Sequence, residues 1–327
     1  MNHVIEIQQF GGPEVLQWVE RPLPVVGPGD VLIRHEAVGV NFLEVYQRTG
    51  LYANPLPLVP GTEAAGVVEA VGRDVSHVAV GDRVAYATGP VGAYSERRVM
   101  PAEPLVKLPD DIDSHTAAAM MLKGMTVQYL LCRTLPAEGL RPGDFVLWHA
   151  AAGGVGLIAC QWAKALGLRL IGTASNALKC ELARQHGAAH VINLAEEDFV
   201  RRVDDITHGQ GVKVVYDSIG KDTFERSLDC LSPFGLMVSF GNASGPVPPF
   251  AIGQLAAKGS LYLTRPTLFT HAAHPGRLQE MADDLFKMVA SGAVQLRIDQ
   301  RHALKDAAQA HRELESRLTT GSTVLLP

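Results

Sequence analysis

Between positions 150 and 156 the chain reads Ala150-Ala151-Ala152-Gly153-Gly154-Val155-Gly156, a run without a polar side chain. A turn this bare lets the backbone come close to a pyrophosphate. A helix starting there aims unpaired N–H groups and the positive end of its dipole at the phosphates. The flanking residues fit that use. Phe145–His149 reads as an apolar strand and Gly154–Leu166 as a helix, and it is the strand–turn–helix setting that makes a glycine turn informative. Ala151 stands at the first position of G-x-G-x-x-G, with Gly153 and Gly156 at the other two. Gly156 allows the helix to pack closely on the strand. The next strand, Leu168–Thr173, runs into Ala174-Ser175-Asn176 without an acid, and Lys179 follows one turn later. A carboxylate there would bind the ribose 2′-hydroxyl of NAD, whereas a hydroxyl with a nearby ammonium suits a 2′-phosphate. The expected cofactor is NADPH.

A hydride-transfer enzyme must also stabilise charge developing on its substrate, either by a Lewis-acid metal or by hydrogen-bond donors. The four cysteines lie at 132, 160, 180 and 230, so no C-x-x-C exists and none precedes Cys132. The early histidines, His3, His35, His77 and His115, are scattered without ligand spacing. No metal is expected, and the cysteines read as free thiols of a reducing compartment. Met1 is followed by His3, Glu6 and a polar run rather than a secretory signal, and no long apolar stretch spans a membrane. The expected location is the cytoplasm.

The elements that must position these residues follow from composition and pattern. A chain of 327 residues, 47% hydrophobic and 19% charged, is long enough for two domains and rules out disorder. A net charge of −5 argues against a nucleic-acid partner. Residues 1–125 read as strands and turns, with strands such as Val31–Ile33, Gly66–Val71 and Arg83–Tyr86 broken by Gly/Pro clusters. Asp113–Arg133 reads as a helix capped by Ser114. Strands and helices then alternate: helix Asn176–His186, strand Val191–Asn193, helix Phe199–Thr207, strand Val212–Asp217, helix Phe224–Leu231 and strand Gly235–Phe240. That order predicts an α/β fold with a doubly wound parallel sheet. The tail holds helices Gln279–Ala290 and Lys305–Arg317 and an apolar strand, Ser322–Leu326, able to pair back with the first sheet. The expectation is a discontinuous catalytic domain, 1–125 and 265–327, around a cofactor-binding insert, 126–264.

Further segments carry a family resemblance. They are Val40–Tyr46, Arg48–Tyr52, Pro60–Gly66, Leu122–Thr126, Tyr216–Gly220, Ser239–Asn242, Leu263–Pro266 and Glu315–Arg317. Together they resemble the medium-chain dehydrogenase/reductase superfamily, and within it the zinc-free quinone oxidoreductases similar to zeta-crystallin. Zinc-dependent relatives carry G-H-E where this chain has Gly61-Thr62-Glu63, and they carry a four-cysteine lobe that is missing here. The resemblance implies a GroES-like catalytic domain and a Rossmann domain with the active site in the cleft between them. It also implies a homodimer formed through the cofactor domains near Gly259–Thr264.

Carried over by residue, the resemblance places Gly153, Gly154 and Val155 on the pyrophosphate and Ser175 and Lys179 on the 2′-phosphate. Ser218, Phe240, Gly241 and Asn242 line the nicotinamide ribose. Asn41, Phe42, Tyr46 and Thr126 border the nicotinamide and the quinone, with Tyr52 and Arg265 close by. Two positions depart from the family: Glu44, often Asp, and Leu194, often Tyr, which removes a ring and hydroxyl from the adenosine side. The expected activity is NADPH-dependent quinone reduction, with Asn41 bonding a substrate carbonyl and Tyr46 stacking or donating its phenol. Reduction of α,β-unsaturated ketones or aldehydes, and a structural or RNA-binding role of zeta-crystallin type, are the alternatives this reading leaves open.

Overall fold

The computed structural model describes residues 2–135 and 139–327. Its strands are β1 (Asn2–Glu6), β2 (Gln17–Arg21), β3 (Asp30–Val40), β4 (Ala64–Val71), β5 (Arg83–Tyr86), β6 (Arg97–Pro101), β7 (Val106–Lys107), β8 (Phe145–Trp148), β9 (Arg169–Ala174), β10 (His190–Asn193), β11 (Val212–Asp217), β12 (Leu231–Ser239), β13 (Tyr262–Thr264), β14 (Ile298–Ala303) and β15 (Ser322–Leu326). Its helices are α1 (Phe42–Thr49), α2 (Ser114–Cys132), α3 (Gly154–Ala165), α4 (Ala177–Gln185), α5 (Phe199–Thr207), α6 (Phe224–Leu228), α7 (Gly253–Ala257), α8 (Leu268–His271), α9 (Pro275–Ala290) and α10 (Ala307–Glu315).

The chain divides into two compact units. The first holds Met1–Met125, Ala272–Ala290 and Leu296–Pro327; the second holds Thr126–His271 and Ser291–Gln295. The return to the first unit, expected at residue 265, comes after His271. The reason is local: the His271 ring stacks on Tyr129, with centroids 4.5 Å apart. Ser291–Gln295 belongs to the second unit, where Gln295 N donates to Gln161 Oε1 at 2.8 Å.

In the first unit β3 is the central strand. Val31, Ile33 and Val38 along it are buried, and they pack with Ile5, Val68, Val84, Tyr86, Tyr94 and Leu325. The larger sheet has the order β14-β15-β3-β4-β5-β7, with β6 also on β3. β15 runs antiparallel to β3, Thr323 opposite Val40, so the C-terminal strand does return to the N-terminal sheet. α1 has no counterpart in the sequence reading, which took this stretch as strand and turn. Its length and mixed burial explain the miss: in eight residues Glu44, Gln47 and Arg48 are buried alongside Val45 and Tyr46, so polar and apolar positions do not separate cleanly. The helix is held at its start by Glu44, whose Oε2 accepts from Asn41 N at 2.6 Å, and stops at Gly50, where φ is +79°.

Arg48 is only 1% exposed. Its guanidinium donates to both Glu315 oxygens at 2.8 Å and to Gly11 O at 3.1 Å, and lies 3.2 Å from His311 Nδ1. His311 is pushed down to about 3 by burial and then by Arg48, so its ring is neutral and Nε2 meets the Tyr94 hydroxyl. These contacts tie α1 to α10.

In the second unit six parallel strands run in the order β10-β9-β8-β11-β12-β13. Leu147, Ile171, Ile192, Val215 and Met237 form the core under its helices. β12 begins at Leu231 rather than Gly235, and α6 ends at Leu228. Phe234 takes a φ of +61°, which breaks the alternation by which the early part of the strand would be read. The α2 cap is Asp113, not Ser114: Asp113 Oδ1 accepts from Thr116 N at 2.9 Å, while Ser114 Oγ donates to Glu36.

Arg48→Met leaves the Glu315 carboxylate without its bidentate partner and the Gly11 carbonyl without its donor. The expected loss is about 3 kcal/mol, measured as a lower denaturant midpoint with an unchanged slope.

Candidate functional site

The first unit gathers its polar groups around two buried carboxylates. Glu63, which directly precedes β4, has no solvent exposure. Its Oε1 accepts from Leu122 N at 2.7 Å. Its Oε2 accepts from Asn41 Nδ2 at 3.0 Å and lies 3.7 Å from the Lys123 ammonium, itself buried. Gly39 admits this arrangement, because a Cβ there would fall 2.3 Å from Glu63 Oε2 and 2.4 Å from Ala118 O. Glu44 is the second acid: Thr62 Oγ1 donates to its Oε1 at 2.8 Å. Burial is the largest influence on Glu44 and lifts it to about 7 against the hydrogen bonds of Thr62 and Asn41, with Glu63 adding repulsion. Burial also raises Glu63, opposed first by Lys123 and then by Asn41 and Leu122.

The aromatic residues foreseen here do come together. Tyr46 meets Tyr52 edge-on at 5.2 Å and Phe42 at 6.2 Å, and Tyr52 N bonds Tyr46 O. Phe42, Tyr46 and Tyr52 are therefore one group on α1 and just beyond its end, while the Asn41 side chain turns to Glu63. Sequence reading did not single out Glu63 or Lys123. The signal was present as an acid in the otherwise apolar run Pro60–Val68, because an ionisable residue is rarely buried without a partner. What the sequence did not show was the partner, which lies across 59 residues.

The second unit builds its site from backbone. Ala150 takes a φ of +55°, and Ala151 N bonds Thr173 O across β8 and β9. Gly156 is required by packing, since a Cβ would lie 2.4 Å from Ala150 O. Gly153 is different: its Cβ would meet only Ala150 O at 3.4 Å, an ordinary contact. The open space above Gly153 and an α3 start with no side-chain cap suit a pyrophosphate.

Asn176 caps α4 by accepting from Lys179 N at 2.9 Å. Ser175 is exposed and Lys179 half-buried, and partial desolvation lowers the Lys179 ammonium. Leu194, beside them, hydrogen-bonds through its backbone N to Ala174 O. Asp217 shapes the neighbouring loop: Oδ1 accepts from Ile219 N and Gly220 N, and Oδ2 from Thr223 Oγ1. Its Ser227 neighbour bonds His149 Nε2, and His149 Nδ1 bonds Thr173 Oγ1. This neutral imidazole, lowered by burial, ties the end of β8 to β9 and to α6. Gly241 presses on Ser218, where a Cβ would lie 2.4 Å from Ser218 O. Phe240 leans on Trp148 at 5.5 Å. Arg265 donates to Ser239 Oγ at 3.1 Å and Gly241 O at 3.0 Å, so its guanidinium holds the loop that carries Phe240, Gly241 and Asn242. Thr126 is buried beside Tyr129.

Two family models match: the alcohol dehydrogenase GroES-like domain over residues 27–110 and the zinc-binding dehydrogenase domain over 154–285. A quinone oxidoreductase of Pseudomonas aeruginosa is 56% identical, with 99% of each chain covered. A 2-haloacrylate reductase of a Burkholderia species is 45% identical over 98% of each chain. The crystal structure of Escherichia coli quinone oxidoreductase complexed with NADPH superposes with a TM-score of 0.97 at 49% identity, covering 99% of this chain and 100% of that one. The chain belongs to the quinone oxidoreductases of the medium-chain dehydrogenase/reductase superfamily. The zinc in the name of the second family model does not fit the residues here. Thr62 spends its hydroxyl on Glu44, Glu63 is occupied on both oxygens, and among the described residues no three His, Cys, Asp or Glu side chains gather as ligands.

Because Glu44 is raised, the folded state keeps its proton to higher pH than the unfolded chain. That contribution to stability is complete below about 4.5 and is lost as pH climbs through about 7. Glu44→Gln removes it. The thermal midpoint of the variant should decline less steeply over that window than the wild type's, followed by thermal denaturation at a series of pH values.

Proposed function

We propose that the protein reduces quinones with NADPH. The observation that carries the reading is the uncapped start of α3 with open space above Gly153, in a chain related over its whole length to quinone oxidoreductases. When bound, NADPH supplies the hydride. The chain's own groups hold it and the acceptor. Gly153, whose own N–H bonds Ala150 O, lets the backbone approach the pyrophosphate, the N–H groups of Gly154 and Val155 meet it, and Ser175 and Lys179 take the 2′-phosphate. Ser218, Phe240, Gly241 and Asn242 carry the nicotinamide ribose, with Arg265 fixing their loop. Phe42, Tyr46 and Thr126 border the nicotinamide. Asn41 offers an amide N–H to the acceptor carbonyl, and the Tyr46–Tyr52 pair provides an aromatic wall for a planar ring. The oxygen charge that grows during transfer is met by hydrogen-bond donors rather than by a metal.

The protein is further read as a cytoplasmic homodimer. Support comes from its cysteines, which form no disulfide among the described residues, and from β13, the edge strand of the parallel sheet, whose Tyr262 and Leu263 are exposed. An unpaired edge joins a second copy of itself in antiparallel register across a two-fold axis. Among the described residues no helix is long and apolar enough to cross a membrane.

NADPH consumption should depend on an added quinone. The reading fails if the quinone panel gives no turnover while enones do, or if NADPH binds and no acceptor is reduced. Lys179→Ala should raise KM for NADPH about tenfold and leave KM for NADH in place, since only the phosphate loses a charged donor. Leu263→Asp should convert the assembly from two chains to one by light scattering.

A further inference from the structure

The Asn41 side chain is a carboxamide, with a donating and an accepting edge related by a simple flip. Which edge faces the acceptor decides whether it stabilises or repels charge on oxygen. Asn41 follows β3 and starts α1, where a capping box sets its side chain to accept from the Glu44 backbone N–H, so the carboxamide orientation is shared between a local contact and a distant one.

We propose that Glu63 is a positioning residue for the reaction, holding the Asn41 carboxamide in the one orientation that leaves an N–H for the acceptor carbonyl. This rests on the reading that Asn41 meets the acceptor. The geometry is a buried acceptor facing a donor: Glu63 Oε2 takes one N–H of Asn41 Nδ2 at 3.0 Å. The reversed flip would set Asn41 Oδ1 against a carboxylate oxygen, two acceptors without a proton between them. Glu63 cannot turn away. Leu122 N holds its other oxygen at 2.7 Å, and Gly39 leaves room for the carboxylate only because it has no side chain.

Lys123 favours the charged form of the carboxylate, against the burial that raises Glu63. Its ammonium is buried, makes no direct hydrogen bond among the described residues, and lies 3.7 Å from the same Oε2 that holds Asn41. One carboxylate oxygen therefore faces the amide on one side and a fixed positive charge on the other. The second amide hydrogen of Asn41 is left for the acceptor.

Four variants test this, each read for quinone kcat, quinone and NADPH KM, and thermal midpoint. Asn41→Ala first checks the underlying reading; unchanged turnover removes Asn41 from the reaction, and the proposal with it. Glu63→Gln lets either flip form, because the new amide can accept or donate. Its quinone kcat should fall about tenfold with NADPH KM unchanged, and Glu63→Asp, which withdraws the charge by one methylene, should fall in the same direction if Glu63→Gln does not fold. Asn41→Asp faces two carboxylates and should lower the thermal midpoint. Combining Asn41→Asp with Glu63→Gln restores a donor–acceptor pair with its polarity reversed. The double variant should regain thermal midpoint over Asn41→Asp alone while turnover stays low, because position 41 now offers oxygen to the acceptor. Wild-type turnover in the Glu63 variants, or recovery of turnover together with the thermal midpoint in the double variant, overturns the proposal.

Discussion

A carboxylate removed from water has to be met on every side, and the first unit is arranged around that requirement at Glu63. Two separate segments answer it: the end of β3 with Gly39 and Asn41 beyond it, and Leu122 and Lys123 on α2. Burying a charge this way is expensive unless the partners are in place before the chain closes over it. The same demand therefore brings together residues far apart in sequence and leaves them little freedom. Glu44 repeats the theme one turn along α1, where its carboxylate both starts the helix and holds Thr62. Arg48 repeats it a third time, at the far end of the same short helix. α1 thus buries Glu44, Gln47 and Arg48 together with Val45 and Tyr46, docked by ion pairs and hydrogen bonds as well as apolar contact.

The second unit solves its problem with almost no side-chain chemistry. At the ends of its parallel strands, helix starts and glycines present backbone groups. Gly156 and Gly241 stand where a Cβ would strike backbone, so they set how closely α3 and the Ser218 loop approach the sheet. His149 and Asp217 work beneath this surface. The imidazole is kept neutral by burial and bridges Thr173 to Ser227, while Asp217 gathers the N–H groups of the following turn. Arg265 extends the same support to Gly241.

The relation to zinc-dependent dehydrogenases becomes a statement about where charge is held. A metal site concentrates positive charge at the substrate oxygen. Here the histidine of the G-H-E motif is Thr62, whose hydroxyl is turned to Glu44. The positive charge that remains nearby is Lys123, held against Glu63. Neutral donors are weaker per contact than a metal, and a quinone demands less of them, because its reduced oxygens are far less basic than an alkoxide.

Much of this was legible from residue order alone. The glycine turn, the strand–helix alternation from Phe145 onward, the absence of an acid after the second strand and the return of the last strand all express local patterns: period, small residues and turn chemistry. The sequence by itself determined the fold class, the kind of cofactor site and the lack of metal-ligand spacing. It did not mark α1, a short helix whose buried residues mix Glu44, Gln47 and Arg48 with Val45 and Tyr46. Nor did it assign Ser114 and Asp113 correctly as to which caps α2, since both are good caps. Only the tertiary structure decided that Asn41, Glu63 and Lys123 form one group, that His311 and Glu315 close on Arg48, and that Arg265 serves the Gly241 loop. Each of these depends on a buried polar atom finding its partner across a long stretch of chain, and that pairing is set by burial, which no window of sequence contains.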